Sequence, residues 1–203
     1  MPAKQELGRS AAEVAITYDF VKANEEYLNE GHKPEPSDLT RGPRSYTAVI
    51  TCIDSRATPE HWYDLRPNEV WSLRNGGGRA NDPGLLRSLM ILQATSEVKE
   101  IRVLHHKNCG SLYYNNQWVH DLVQKNSPSR SGQYSPSAYP HCQSMGTLPF
   151  IRRGDKDEKE IIIDSIKQDV EFLRSHPLVK ERVKVTGFYQ DLSNGLISEV
   201  DVP

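Results

Sequence analysis

The stretch Val49-Ile50-Thr51-Cys52-Ile53-Asp54-Ser55-Arg56 decides both the fold and the chemistry that this sequence predicts. Its first half is an apolar, β-branched run, which is typical of a strand covered on both faces of a parallel sheet. Its second half carries a thiol, a carboxylate and a guanidinium at alternate positions. Because an extended chain alternates sides, we expect Cys52, Asp54 and Arg56 to project to one side of the strand end.

A second polar stretch, His105-His106-Lys107-Asn108-Cys109-Gly110, also follows directly after an apolar run. The spacing of His106 and Cys109 allows one loop to hold one metal ion. Together with Cys52 they form a zinc-like set of two thiolates and an imidazole, with one position left open. A buried cysteine is often only a small apolar residue, and H-x-x-C alone is a weak motif. The occurrence of both motifs at successive strand ends favours a metal site.

Composition restricts the class of protein. A chain of 203 residues is expected to form a single domain over 1–203, with a substantial core. Its net charge of -2 gives no electrostatic reason to bind nucleic acid or an anionic membrane. No apolar stretch approaches the roughly 20 residues that span a bilayer, and the N-terminus has no signal-peptide core. We therefore expect a soluble, cytoplasmic protein with neither a nucleic-acid nor a membrane partner.

The three cysteines, Cys52, Cys109 and Cys142, do not suggest a disulfide framework. A reducing compartment would keep the first two available as metal ligands. Cys142 follows His141 in a polar segment that contains proline and serine. We expect Cys142 to be an exposed thiol without a role in the site.

The rest of the pattern predicts an α/β fold with flanking helices. Helices are expected over 11–30, within 57–68, from Pro83, over 112–123 and over 158–176, and strands over 46–52, 69–74, 101–106, 182–189 and 196–200. The Asn194-Gly195 pair between two apolar runs predicts a hairpin. The sheet should therefore be mostly parallel with an antiparallel edge strand. Residues 1–45 are expected to form an N-terminal helical arm and connector, 46–203 the α/β core, and 126–149 a surface loop.

A glycine-rich stretch, Asn75-Gly76-Gly77-Gly78-Arg79, follows the second predicted strand. Glycines allow main-chain N–H groups to approach a small ligand, although a flexible turn is an alternative. Neither G-x-G-x-x-G nor G-x-x-x-x-G-K-[ST] is present. We predict that Asn75, Gly76 and Gly77 line a pocket for an oxyanion or another small molecule.

These motifs together resemble those of the β-class carbonic anhydrases. Residues 52–56 match the family's C-x-D-S-R and residues 106–110 match its H-x-x-C-G. Residues 74–79 are similar to its R-N-A-G stretch, and residues 187–195 to its G-x-x-x-D-x-x-x-G hairpin. The resemblance extends over residues 46–200 and is closest to the short-chain microbial branch of the family.

The resemblance implies an α/β fold, an N-terminal helical arm and assembly into homodimers or homotetramers. It implies one Zn²⁺ per subunit, held by Cys52, His106 and Cys109. Asp54 and Arg56 would be the catalytic dyad of the family. In an open state Arg56 holds Asp54 away from the metal, whereas in a closed state Asp54 becomes the fourth ligand.

Three functions are consistent with these residues. The first is a zinc enzyme that adds zinc-bound hydroxide to a small linear molecule, with reversible hydration of CO2 to bicarbonate as the main hypothesis. The second is a carbonyl sulfide hydrolase that uses the same zinc site. The third is a non-catalytic zinc protein, against which Asp54 and Arg56 argue because structural sites normally have four Cys or His ligands. The substrate is the open question, since the plant-type glutamine before the first cysteine is absent and Asn108 replaces the usual aspartate.

Overall fold

The computed structural model describes residues 19–31, 45–126, 150–152 and 154–203. The chain separates into two compact units, one within residues 1–37 and one within residues 38–203. No helix among the described residues is long and apolar enough to cross a membrane.

The first unit contains helix α1, Phe20–Asn29. The helix begins after Asp19, whose carboxylate accepts the main-chain N–H groups of Val21 and Lys22. The sequence predicted this helix over 11–30. Residues 11–18 lie outside the described residues, as do the connector at 32–44 and the loop at 127–149.

The second unit is built on a five-stranded sheet. Its strands are β1 Thr47–Cys52, β2 Trp71–Asn75, β3 Glu100–His106, β4 Lys184–Gln190 and β5 Ile197–Val200. The strand order is β2-β1-β3-β4-β5; the first four strands are parallel and β5 pairs antiparallel with β4. The predicted mostly parallel sheet with an antiparallel edge is confirmed.

In the described part of this unit, four α-helices and two short 3₁₀ turns accompany the strands. The helices are α2 Pro59–Trp62, α3 Pro83–Thr95, α4 Asn116–Asn126 and α5 Glu158–Ser175, and the 3₁₀ turns are Gly76–Gly78 and Gly110–Leu112. The helix predicted over 112–123 begins instead at Asn116, because residues 110–112 form a separate turn. Aspartates cap the N-termini of α3 and α5. Asp82 accepts the N–H of Leu85, and Asp157 and Glu160 form a capping box.

The core lies between the sheet and helices α3 and α5. All six residues of β1 are buried, as expected for a central strand of a parallel sheet. One apolar cluster joins sheet and helix side chains: Ala48, Ile50, Ile101, Val103, Val185, Leu85, Leu89, Ile162, Ile166 and Val170.

The topology places the polar motifs at one edge. Because β1 lies between β2 and β3 and runs parallel to both, Cys52 ends beside Asn75 on one side and near His106 on the other. In open parallel sheets the carboxyl ends of the strands form the usual binding crevice. The candidate site therefore lies at the carboxyl edge of the three adjacent strands.

Gly187 marks the tightest contact between β4 and α5. A Cβ at this position would lie 2.4 Å from Cγ2 of Ile166 and 3.2 Å from Cγ2 of Val170. Gly187→Ala should therefore push α5 from the sheet and lower the free energy of unfolding by about 1–3 kcal/mol. Urea denaturation measures this change. Gly154→Ala is the control, because no described atom lies within 4 Å of its Cβ position; equal destabilisation by the two variants would contradict the packing argument.

Candidate metal centre

The residues after β1 form a tight turn, so the extended arrangement predicted for residues 52–56 is wrong. Asp54 Oδ1 accepts the main-chain N–H of Arg56 at 2.9 Å, and the Asp54 carbonyl accepts that of Ala57 at 2.9 Å. An aspartate that bonds the N–H two residues ahead is a common turn device. Cys52, Asp54 and Arg56 still lie together, because the turn folds them back on one another.

The second motif forms another tight turn at the end of β3. Asn108 has a positive φ of 57°, a region that asparagine adopts more readily than most residues. Its N–H donates to Glu158 Oε1 at 2.6 Å, and its carbonyl accepts from Arg56 Nη2 at 3.3 Å. Asn108 thus serves the site through its main chain.

The two turns bring Cys52, His106 and Cys109 into one buried group. Their ligand atoms all lie within 4.8 Å of one another, and the two sulfurs are 3.8 Å apart. A tetrahedral zinc ion with bonds of about 2.3 Å to sulfur requires a separation of about 3.8 Å between its sulfurs. The donor set and its spacing therefore fit zinc.

The ring of His106 has the orientation of a ligand. Its Nδ1 lies 2.9 Å from the Lys107 carbonyl, which can only accept, so Nδ1 carries the proton. Its Nε2 is buried and has no hydrogen-bond partner in the described part of the chain. Leaving a buried acceptor unpaired is costly. A metal ion bound to this lone pair would satisfy it.

The sulfur of Cys52 accepts several hydrogen bonds. The N–H groups of Asp54 and Gly77 approach it at 3.4 Å and 3.3 Å. The contact with Cys109 lowers the pKa of Cys52, against the opposing effect of burial, and the two N–H groups act in the same direction. The same contact, together with burial, raises the pKa of Cys109. Negative charge is therefore favoured on Cys52 even before a metal is considered.

Asp54 and Arg56 form a two-pronged ion pair beside this group. Arg56 Nε donates to Oδ1 at 3.0 Å and Nη2 to Oδ2 at 2.6 Å. These hydrogen bonds lower the pKa of Asp54 to about 2, so the carboxylate is ionised at neutral pH. Asp54 is not part of the Cys-His-Cys group. The closed state, in which Asp54 ligates the metal, stays a prediction.

Two further side chains support the first turn, a role that the sequence motifs did not predict for either of them. Arg74 donates to the carbonyls of Cys52 at 2.9 Å and Asp54 at 2.8 Å, and Trp62 Nε1 donates to the Arg56 carbonyl at 2.6 Å. Arg74 pairs in register with Thr51, at the end of the adjacent strand. The sequence signal for this role was the position of Arg74, a cation at the end of the second predicted strand.

The glycine turn, Gly76–Gly78, packs against Cys52. Gly78, at a φ of 69°, approaches β1 so closely that a Cβ would lie 2.9 Å from the Cys52 nitrogen. The amide of Asn75 bridges the N–H and carbonyl of Arg79, each at 2.8 Å. Gly77 directs its N–H to sulfur, and Gly76 is exposed. The pocket role of Asn75, Gly76 and Gly77 stays a prediction.

Comparison with known proteins agrees with this geometry. A sequence model of the carbonic anhydrase family matches residues 47–197. The β-carbonic anhydrase 1 of Mycobacterium tuberculosis is 24% identical over 187 residues, which are 92% of this chain and 99% of the relative. A carbon disulfide hydrolase of an Acidianus species is 28% identical over 152 residues, which are 71% of this chain and 72% of the relative.

Solved structures show the same fold. A carbonic anhydrase of Streptococcus mutans superposes with a TM-score of 0.68 at 26% identity, covering 90% of this chain and 95% of the other. The carbonic anhydrase of Glaciozyma antarctica gives a TM-score of 0.69 at 26% identity, covering 95% and 100%. The chain belongs to the carbonic anhydrase family, in its β class.

The left-handed conformation of Asn108 generates a prediction. Asn108→Val should lower the free energy of unfolding by about 1–2 kcal/mol, because a β-branched residue is strained at positive φ. Asn108→Gly adopts this conformation without a steric penalty and is the matched control. Urea denaturation of the metal-free protein measures both variants. Equal stability of the valine and glycine variants would show that the turn does not impose this conformation.

Proposed function

We propose that this protein is a zinc enzyme that reversibly hydrates CO2 to bicarbonate, with one Zn²⁺ per subunit held by Cys52, His106 and Cys109. The observation that carries the proposal is the three-ligand group with an ionised carboxylate held beside it by Arg56. Three protein ligands leave a fourth zinc position for a reacting molecule, whereas structural zinc sites are closed by four. A carboxylate kept in a fixed position at such a site is suited to catalysis.

Zinc at this site would lower the pKa of bound water from about 15.7 towards about 7 and so supply a nucleophile for the carbon of CO2. Asp54 is the proposed acceptor for the O–H of that nucleophile. A carboxylate has about four lone-pair sites. Arg56 occupies two on Oδ1 and one on Oδ2. The remaining site on Oδ2 is the one that we assign to this hydrogen bond.

The hydrogen bonds to Cys52 support the same function. Two thiolates donate more negative charge to a metal than two imidazoles do, which works against acidifying bound water. The N–H groups of Asp54 and Gly77 withdraw part of that charge from the Cys52 sulfur. The chain thus compensates for its own ligand set.

Hydrolysis of a sulfur analogue of CO2, carbonyl sulfide or carbon disulfide, is the second candidate function. It is favoured by the relative named a carbon disulfide hydrolase, whose 28% identity is no lower than the 24% of a relative named a β-carbonic anhydrase. The same metal group and ion pair would serve either substrate. Pocket shape, which distinguishes oxygen from sulfur by size and polarity, would decide between them.

Self-association into a homodimer or homotetramer is part of the proposal. Ile53, directly after the proposed ligand Cys52, is exposed. Tyr114, just before α4, and Trp118, on α4, are exposed as well. The Tyr114 and Trp118 rings lie 4.3 Å apart at their centroids, and exposed apolar groups that form a contiguous patch are typical of interfaces. Two β-carbonic anhydrases of Sordaria macrospora are described as tetrameric.

The substrate assignment predicts a difference in rates. Zinc-loaded protein should hydrate CO2 at least about 100-fold faster than it releases sulfide from carbonyl sulfide or carbon disulfide. Stopped-flow proton release and a sulfide assay measure the two reactions on one preparation. Removal of zinc with a chelator should abolish both, and re-addition should restore them.

Cysteine variants control this experiment. Cys109→Ser should lose zinc and activity together, whereas Cys142→Ser should keep both. Faster sulfide release than CO2 hydration would move the assignment to the sulfur substrates. Zinc-loaded protein without either activity would favour a non-catalytic zinc protein.

The ion pair predicts a second result. Arg56→Ala should lower turnover by about 100-fold while zinc content is unchanged, because Asp54 is then free to move onto the metal. Arg56→Lys keeps the charge but loses the two-pronged geometry, so its turnover should be intermediate. Arg182→Ala is the control for the loss of one positive charge, because Arg182 is an exposed arginine just before β4. Full turnover of zinc-loaded Arg56→Ala would reject the assigned roles of Asp54 and Arg56.

A further inference from the structure

A buried charged cluster lies behind the glycine turn and takes no part in the chemistry proposed above. It consists of Arg79, His105 and Asp169, all almost completely buried. Asp169 lies 3.0 Å from Arg79 Nη2, 2.9 Å from Arg79 Nε, 3.2 Å from the Ala80 N–H and 3.3 Å from His105 Nε2. Burying such charges requires compensation by hydrogen bonds and opposite charge, which this cluster provides.

His105 connects the cluster to the glycine turn. Its Nε2 lies 3.0 Å from the Gly78 carbonyl as well as near Asp169. Neither a carbonyl nor a carboxylate can donate, so Nε2 carries a proton and donates to this pair. Its Nδ1 lies 2.8 Å from Ser165 Oγ on α5. The imidazole is therefore fixed from both sides and holds the turn by its main chain.

The glycine turn also contacts Cys52, a member of the proposed metal site. Gly78 lies against the Cys52 nitrogen, and the preceding Gly77 donates its N–H to Cys52 Sγ at 3.3 Å. Asp169 fixes the chain directly after the turn through Arg79 and Ala80. Contacts at the three residues that follow Gly77 thus restrict where its N–H points.

We propose that Asp169, together with Arg79 and His105, is a positioning residue of the metal site. It holds the glycine turn on the end of β1 so that Gly77 bonds to the sulfur of Cys52, and this contact raises the affinity of the site for zinc. The proposal rests on the proposed metal site but not on the identity of the substrate. It assigns no contact between Asp169 and the metal.

A purely stabilising role explains this arrangement less well. Buried ion pairs often contribute little net stability compared with apolar residues of similar size. Here the donors come from the two residues that follow the glycine turn and from the strand residue that precedes a proposed metal ligand. Such indirect support of a ligand typically changes metal affinity by about 10–100-fold.

The experiment uses Asp169→Asn, which keeps the shape of the side chain but removes its charge. Zinc affinity, measured by competition with a chromophoric chelator, should fall by about 10-fold or more. The thiolate-to-cobalt charge-transfer band of the cobalt-substituted protein should shift. In the metal-free protein, the amide hydrogen of Gly77 should exchange faster, as followed by NMR.

Arg79→Lys keeps the positive charge and is the milder variant if Asp169→Asn does not fold. It should show the same changes to a smaller extent, because a lysine ammonium keeps the charge but not the planar guanidinium that faces Asp169. Gln93→Leu is the structural control. Gln93 is a buried anchor of α3 that binds the main chain of Leu178 and Lys180. Its loss should lower stability but change neither zinc affinity nor Gly77 exchange.

Two results would overturn the proposal. One is zinc affinity within twofold of wild type, with unchanged Gly77 exchange, in the folded Asp169 or Arg79 variant. The other is an equal loss of zinc affinity in Gln93→Leu. Failure of the wild-type protein to bind zinc would instead reject the proposed function, while exchange at Gly77 in metal-free protein would still decide whether Asp169 positions the turn.

Discussion

Parallel pairing between β1 and β3 is the constraint on which the site depends. The register pairs Thr51 with Leu104, so the two strands end at nearly the same level. Cys52 closes one strand and His106 the other, and each is followed at once by a tight turn. A metal group assembled this way needs no long loop to bring its members together. Its precision comes from the hydrogen-bonded ladder of the sheet.

Several polar groups around the site are main-chain groups held by side chains. Arg74 holds two carbonyls of the first turn, Glu158 holds the N–H of the second, and His105 holds the carbonyl of Gly78. Main-chain groups are present whatever the side chain, so such contacts leave little trace in the sequence. They also have few ways to relax, because each belongs to a tight turn that follows a strand directly.

Much of the fold followed from local patterns, and the parts that did not have physical reasons. The apolar run before Cys52, the helix start at Pro83 and the Asn194-Gly195 hairpin each act within a few residues, so they were predictable. The turn at residues 52–56 was not, because a side-chain hydrogen bond to the main chain overrides strand alternation there. The cluster of Arg79, His105 and Asp169 joins three distant segments. No spacing pattern in the sequence predicts that these three segments come together.

Helix α5 reaches both halves of the site. Glu158 at its start accepts from the Asn108 turn, and Asp169 accepts from the glycine turn. The two residues are eleven positions apart, which corresponds to about 16 Å along the helix axis. Eleven positions also amount to three full turns within about 20°, so both carboxylates lie on one face of the helix. Inserting or deleting one residue between them would rotate one carboxylate by about 100° relative to the other. The length of this helical segment therefore helps to fix the geometry of the candidate metal centre, although none of its residues belongs to the Cys-His-Cys group.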